Sequence, residues 1–359
     1  MLNYLKEQAD TGKKIVIFGA GYIGKKVIDI LREHEVGIAC LCDNDKEKDG
    51  QKVGGYEIIS PEKLRECDPQ DTVVVAASNF FKEMSAQLGV MGFSNVVLFK
   101  DLFLKKNDTY DRLIFPKADQ PKVSIILTTH NGWKYTYECL KSLLACKTNI
   151  AYELIVGDNV SQDETRNMEA YVENVKVIHN PTDIGYLRNC NETAKQARGE
   201  YLILLSNDVR IVTDYWLDFL VEDFEHDATV GNIGGACYGW DIGGLSYGCF
   251  MTEVGELRGN DTYQEGVFDI DYNCAACMAV RRSLWEEIGG YDERYIPAWF
   301  EDLDLYCEVK KRGYRVVLDA RFRFVHYENV TYGVVPGADR VYLRNKEKFI
   351  KKWKQAVPD

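Results

Sequence analysis

Short apolar runs alternate with amphipathic stretches through the first hundred residues. Lys14-Ile15-Val16-Ile17-Phe18 predicts a strand. The turn Gly19-Ala20-Gly21-Tyr22-Ile23-Gly24 then leads into a helix with Ile23, Val27, Ile30 and Leu31 on one face. Residues 37–42 predict a second strand that stops at Asp43-Asn44-Asp45, and residues 72–76 and 96–99 predict two more, with a helix over 81–88 between them. Strands separated by helices and rich in buried β-branched residues imply a parallel sheet with right-handed crossovers.

The pattern then lapses and returns. Residues 101–121 are charged, contain Pro116 and Pro121 and keep no period, which predicts a linker. From Val123 onward strands are expected over 123–127, 152–156, 175–178 and 201–205, and helices over 135–145, 163–172 and 187–197. Glycine-rich residues 231–266 predict a loop-rich or short-stranded insertion of the kind that shapes binding sites. A helix over 338–354 closes the chain. The expected organisation is α/β in two domains: 1–100, the linker 101–121, a second domain over 122–335, and a C-terminal helix in 336–359.

Composition adds limits. With 359 residues the chain has enough length for two cores. A net charge of −12 argues against general nucleic-acid binding, because no basic field exists to displace counterions. No apolar run approaches the roughly 18–20 residues that span a bilayer, and the first residues do not read as a secretory signal. Eleven scattered cysteines fit reduced, buried thiols and a cytoplasmic setting better than a disulfide framework. Cys274-Ala-Ala-Cys277, with no second pair, reads as two structural thiols rather than a zinc or redox site.

Two features carry candidate chemistry. Gly19, Gly21 and Gly24 follow a strand and open a helix, the context in which backbone N–H groups meet a phosphate, and Asp43 ends the next strand where a carboxylate can accept from a ribose hydroxyl. Either NAD or a nucleotide-sugar would suit that turn, as would a purely structural packing role. The second feature is a pair of acidic sites, Ser206-Asn207-Asp208 and Glu301-Asp302-Leu303-Asp304. One can hold a cation against a leaving diphosphate while the other takes a proton from an attacking hydroxyl. A base at a helix N-terminus is expected to have a lowered pKa.

Several segments after Val123 carry a resemblance. Val123-Ser124-Ile125-Ile126-Leu127-Thr128-Thr129-His130-Asn131, Val156-Gly157-Asp158-Asn159, Asp183-Ile184-Gly185-Tyr186-Leu187-Arg188-Asn189, Ser206-Asn207-Asp208, Glu301-Asp302 and Val325-His326 occur in the order of the family-2 inverting glycosyltransferases. The chain resembles that family over roughly residues 122–330, departing from it at His130 and at Ser206, where an acid is usual. The resemblance implies a GT-A mixed sheet preceded by a Rossmann-like domain. It implies donor-nucleotide contacts from Thr129, Asn131, Asp158, Asp183, Gly185, Arg188 and Asn207. It further implies Mn²⁺ or Mg²⁺ at Asp208 and His326, and Asp302 as the base with Glu301 second. The substrates would be a nucleoside-diphosphate sugar and a glycan, lipid-linked or protein hydroxyl, in bacterial surface polysaccharide or glycoconjugate assembly. Trp240, Tyr247, Trp299 and Phe300 are candidates for stacking on a sugar. The basic C-terminal helix, from Arg340 to Lys354, is read as packed by Phe349 and Trp353, with peripheral contact at the inner membrane face as the other reading. The competing functions are an NAD(P)-dependent oxidoreductase centred on Gly19–Gly24 and a nucleotide-sugar sensor without turnover.

Overall fold

The computed structural model describes residues 1–353 apart from 79, 103, 105–108, 240–243, 252–256, 261, 329 and 331–336. Trp240 and Lys354 therefore lie outside the described residues. The chain divides into two compact units, the first covering Met1–Thr109 and the second beginning at Tyr110.

The first unit is built on a six-stranded sheet in the order Lys52–Val53, Tyr56–Ile59, Cys40–Cys42, Lys14–Phe18, Thr72–Ala76, Val96–Leu98. Every neighbouring pair is parallel except the first. Ile15, Val16, Ile17, Val73, Val74 and Val75 are fully buried, as expected of strands covered on both faces. The second predicted strand shortens to Cys40–Cys42, and the buried stripe of the helix Tyr22–Glu33 runs through Val27, Ile28 and Leu31.

The glycine turn is tightly packed. A Cβ on Gly19 would lie 2.5 Å from the Ala77 carbonyl oxygen, and one on Gly24 only 1.9 Å from the Gly19 carbonyl oxygen. Of the three, Gly21 alone has nothing among the described residues within 4 Å of an added Cβ. Asp43 Oδ2 accepts from the Ala20 N–H at 2.8 Å and from Lys48 Nζ at 3.1 Å, while Oδ1 accepts from the Asp45 N–H at 2.9 Å. Packing thus accounts for two of the three glycines, and the chain's own donors already engage the strand-end acid.

The second unit holds a ten-stranded mixed sheet. Its path runs Lys176–His179, Tyr152–Asp158, Val123–Thr129, Tyr201–Ser206, Cys277–Arg281, Val230–Gly239, Arg315–His326, Val209–Ile211. The first four strands are mutually parallel, and Cys277–Arg281 runs antiparallel to Tyr201–Ser206. Leu113–Ile114, inside the stretch read as a linker, pairs with Val172–Glu173 and contributes to the core.

Two sequence expectations fail here. Residues 163–172 are not one α-helix: Glu164–Ala170 is 3-10 in character with non-helical Asn167 inside it. Asp163 caps Thr165 and also accepts from the Gly132 and Trp133 N–H groups, so its side chain serves the neighbouring loop. The glycine-rich stretch does not begin as a loop, because Val230–Gly239 is a ten-residue strand inside the sheet. Its glycines admit close neighbours: a Cβ on Gly234 would strike Asn273, and one on Gly235 would strike Phe322. Short strands follow at Gly244–Ser246, Cys249–Met251 and Leu257–Gly259. Among the described residues no helix is long and apolar enough to cross a membrane.

Candidate active site

Parallel register places the candidates along one edge of the sheet. Thr129 pairs with Asp158, Asp158 with His179, and Ser206 with Thr128. The carboxyl ends of these strands therefore finish in line, the side of an open α/β sheet on which ligands sit. Asp158 is buried; its Oδ1 accepts from the Ser161 N–H at 3.2 Å and its Oδ2 lies 2.9 Å from His179 Nδ1. The other ring nitrogen of His179 is 2.8 Å from Glu169 Oε1. Burial presses the His179 pKa down, but the carboxylates on either side outweigh it and hold the ring above its ordinary value.

The neighbouring loops are cross-linked. Asn131, at φ +59°, accepts from the Gln162 N–H at 2.6 Å. Asp183 Oδ1 accepts from Asn159 Nδ2 at 2.6 Å and from the Gly185 N–H at 2.9 Å, which keeps its carboxyl below the usual range. Asn207 Nδ2 donates to Thr136 Oγ1, Thr129 Oγ1 and the Asn131 carbonyl, fastening one strand end to the loop beyond another. Arg188 is exposed and donates through Nε to Glu293 at 2.8 Å.

At the other end of this edge Asp208 sits between Tyr201–Ser206 and Val209–Ile211. Val209 is in register with His326, and His326 Nε2 lies 3.3 Å from Asp208 Oδ1. Burial disfavours the imidazolium, but Asp208 more than compensates and raises the His326 pKa well above normal. His326 Nδ1 faces Cys274 Sγ at 3.7 Å. Two residues earlier, the Tyr272 hydroxyl donates to Asp302 Oδ2 at 2.7 Å. The segment 272–274 thus touches both acidic sites, linking Asp208 through His326 to Asp302.

Glu301 and Asp302 open the helix Glu301–Lys311. The lowered pKa expected there is reversed. Burial raises the Asp302 carboxyl, and the Tyr272 hydroxyl and the Leu303 N–H offset this only in part. Glu301 is also pushed well up, by burial first and then by Asp302, and its buried Oε2 has no hydrogen-bond partner among the described residues. Burial thus disfavours charge on both carboxyls, and Asp302, with its two donors, is the better placed of the pair to carry one.

The C-terminal helix Ala338–Trp353 holds this loop in place. Asn345, fully buried, donates through Nδ2 to the carbonyls of Tyr295 at 2.6 Å, Ala298 at 2.8 Å and Trp299 at 3.3 Å. Trp299 and Phe300, which lead into Glu301, both have positive φ, an unfavourable backbone for such side chains. Asp304 accepts from Trp353 Nε1 at 2.8 Å and from Tyr295 Oη at 3.0 Å, and pairs with Lys352 at 2.7 Å. Asp304→Ala strands the Trp353 and Tyr295 donors, while Lys352 keeps Glu308 and Asp292, and is expected to cost on the order of 2–3 kcal/mol. The check is chemical denaturation, with tryptophan fluorescence reporting release of Trp353.

Of the aromatic candidates, Tyr247 is buried in the core, and Phe300 packs on Tyr342 and Phe349. Sequence reasoning missed His179, Tyr272 and Asn345. Only Asn345 left a trace, as a polar residue in line with Phe349 and Trp353 on the buried stripe of an amphipathic helix.

Residues 124–289 match the family model Glycosyl transferase family 2, and residues 11–97 match C2185-like, N-terminal. Over 246 residues the chain is 27% identical to O-antigen biosynthesis protein RfbC of Myxococcus xanthus, covering 64% of this chain and 19% of that protein. It is 24% identical over 262 residues to protein y4gI of Sinorhizobium fredii, covering 68% of this chain and 29% of the relative. The chain thus spans less than a third of the length of either. It is 22% identical to O-antigen chain rhamnosyltransferase WbaN of Salmonella anatum, over 59% of this chain and 68% of that one. The structure of GalNAc-T7 with UDP, GalNAc and Mn²⁺ superposes with a TM-score of 0.52 at 17% identity, covering 65% of this chain and 48% of that one, which establishes a shared GT-A fold.

Proposed function

We propose that this chain is a metal-assisted, inverting glycosyltransferase, on the match of its residues 124–289 to the Glycosyl transferase family 2 model. It moves a sugar from a nucleoside-diphosphate sugar to an acceptor hydroxyl. The observation that carries the reading is the segment 272–274, which ties Asp302 and the Asp208–His326 pair to one place at the sheet edge.

A divalent cation suits the donors present. Asp208 offers a carboxylate and His326 an imidazole nitrogen facing it, a set that Mn²⁺ accepts and Mg²⁺ tolerates. When bound, such an ion neutralises the charge that develops on a departing diphosphate. The remaining work falls to the chain. Asp158, Asp183 and Asn131, fixed by their own hydrogen bonds, line the donor nucleotide's side of the edge. Asp302, its carboxylate form favoured by hydrogen bonds from Tyr272 and Leu303, takes the proton of the acceptor hydroxyl as its oxygen attacks the anomeric carbon opposite the leaving group. One displacement inverts the configuration. The names of the O-antigen relatives support surface polysaccharide or glycoconjugate assembly as the setting, with a glycan, lipid-linked or protein hydroxyl as acceptor. No observation favours the dinucleotide-oxidoreductase reading, since Asp43 is held by Ala20, Asp45 and Lys48.

The test is a thermal-shift and hydrolysis screen of UDP-, GDP- and dTDP-sugars with Mn²⁺ or with chelator. One nucleotide class should raise the melting temperature, since donor at 100-fold its Kd adds about 2.7 kcal/mol, and chelator should abolish hydrolysis. A screen in which no donor stabilises or turns over overturns the proposal.

A further inference from the structure

His326 has a second set of neighbours that the transfer reaction does not use. Cys237 lies on Val230–Gly239, parallel to Arg315–His326 and in register with Phe324. The two-residue period of a strand puts Phe324 and His326 on one face, so Cys237 and His326 share that face. Cys274 approaches from the segment that leads into Cys277–Arg281. The ligand atoms of Cys237, Cys274 and His326 all lie within 4.8 Å of one another, and Cys274 Sγ is 3.7 Å from His326 Nδ1. Zn–S and Zn–N bonds of about 2.3 and 2.0–2.1 Å at a tetrahedral angle place sulfur and nitrogen about 3.6 Å apart. The observed pair already has nearly that spacing. The Cys partner is Cys237, distant in sequence, and not Cys277 of the C-x-x-C stretch.

We propose that Cys237, Cys274 and His326 Nδ1 form a binding site for a soft divalent cation of the Zn²⁺ class, with its fourth position left to water. Binding displaces to solvent the protons carried on the two sulfurs and on Nδ1 as two metal–sulfur bonds and one metal–nitrogen bond form. Two sulfurs and a nitrogen select Zn²⁺, Cd²⁺ or Co²⁺ over the hard ions that Asp208 favours. With Nδ1 on the metal, the ring's one remaining proton is on Nε2, where it points at Asp208 and closes that nitrogen to another ion. On the glycosyltransferase reading, Zn²⁺ at the thiols therefore suppresses Mn²⁺-supported transfer.

The probe is Co²⁺ titrated into the full-length reduced protein. One equivalent should produce a near-ultraviolet thiolate-to-cobalt charge-transfer band in wild type and in Asp208→Ala. The band should be lost in Cys237→Ser and in Cys274→Ser. A measurement that needs no variant accompanies it: one equivalent of Zn²⁺ should shield two thiols of the wild-type protein from a thiol reagent. No band and no shielding in wild type, or a band that survives both serine variants, overturns the site. Because Asp208→Ala keeps the band, failure of the proposed donor-metal role at Asp208 is read separately, as Mn²⁺-supported transfer that persists in that variant.

Discussion

Asp302→Asn should lower the rate of sugar transfer by about 10²–10⁴-fold while leaving donor affinity near wild type. The amide keeps the shape of the carboxylate: its oxygen can accept from the Leu303 N–H while its NH2 donates to the Tyr272 hydroxyl, which can accept as well as donate, so the loop has no reason to move. What disappears is the group able to take a proton. Transfer measured at saturating acceptor, beside calorimetric binding of the donor, separates these effects. A variant that transfers within about threefold of wild type would assign the base elsewhere. The sign of the pKa shift adds a second readout. Burial holds the Asp302 carboxyl above its ordinary value, so the base stays protonated until higher pH. The acidic limb of the rate profile should therefore lie above that of a solvated aspartate, its midpoint belonging jointly to Asp302 and its neighbour Glu301.

Asp208→Ala should reduce metal-supported transfer by about 10²–10³-fold. The loss should come with disappearance of the Mn²⁺-induced rise in melting temperature, a readout independent of turnover. Removing the carboxylate also deprives His326 of the charge that raises its pKa, so the buried ring should become neutral at a lower pH than in wild type. Histidine NMR titration would follow that directly. Undiminished, Mn²⁺-stimulated transfer in the variant would remove Asp208 from the reaction.

The sequence reveals the proposed donor side of the second unit better than the proposed acceptor side, for a physical reason. Val123–Thr129, Tyr152–Asp158 and Tyr201–Ser206 are apolar runs buried by parallel neighbours, and each signals its own polar end. Once their register is known, Thr129, Asp158 and Asp208 fall along one edge. The acceptor side depends on contacts between distant positions: Tyr272 to Asp302 spans 30 residues, and Asn345 to Tyr295 spans 50. Periodicity does not encode such meetings. The pKa of Asp302 went astray for a related cause, since position at a helix start is legible whereas burial is not, and burial prevails. Glycine misled in Val230–Gly239, where it serves close packing within a sheet rather than flexibility.

The hold of Asn345 on the carbonyls of residues 295, 298 and 299 bears on how this chain can be recombined with its relatives. The family match ends at residue 289, short of the acid pair and of the helix that braces it. A chimera spliced at that border would pair one protein's nucleotide half with a foreign acid loop and tail, matched to each other only if both came from the same parent. The acid loop and the helix that braces it are expected to work best when both are exchanged together.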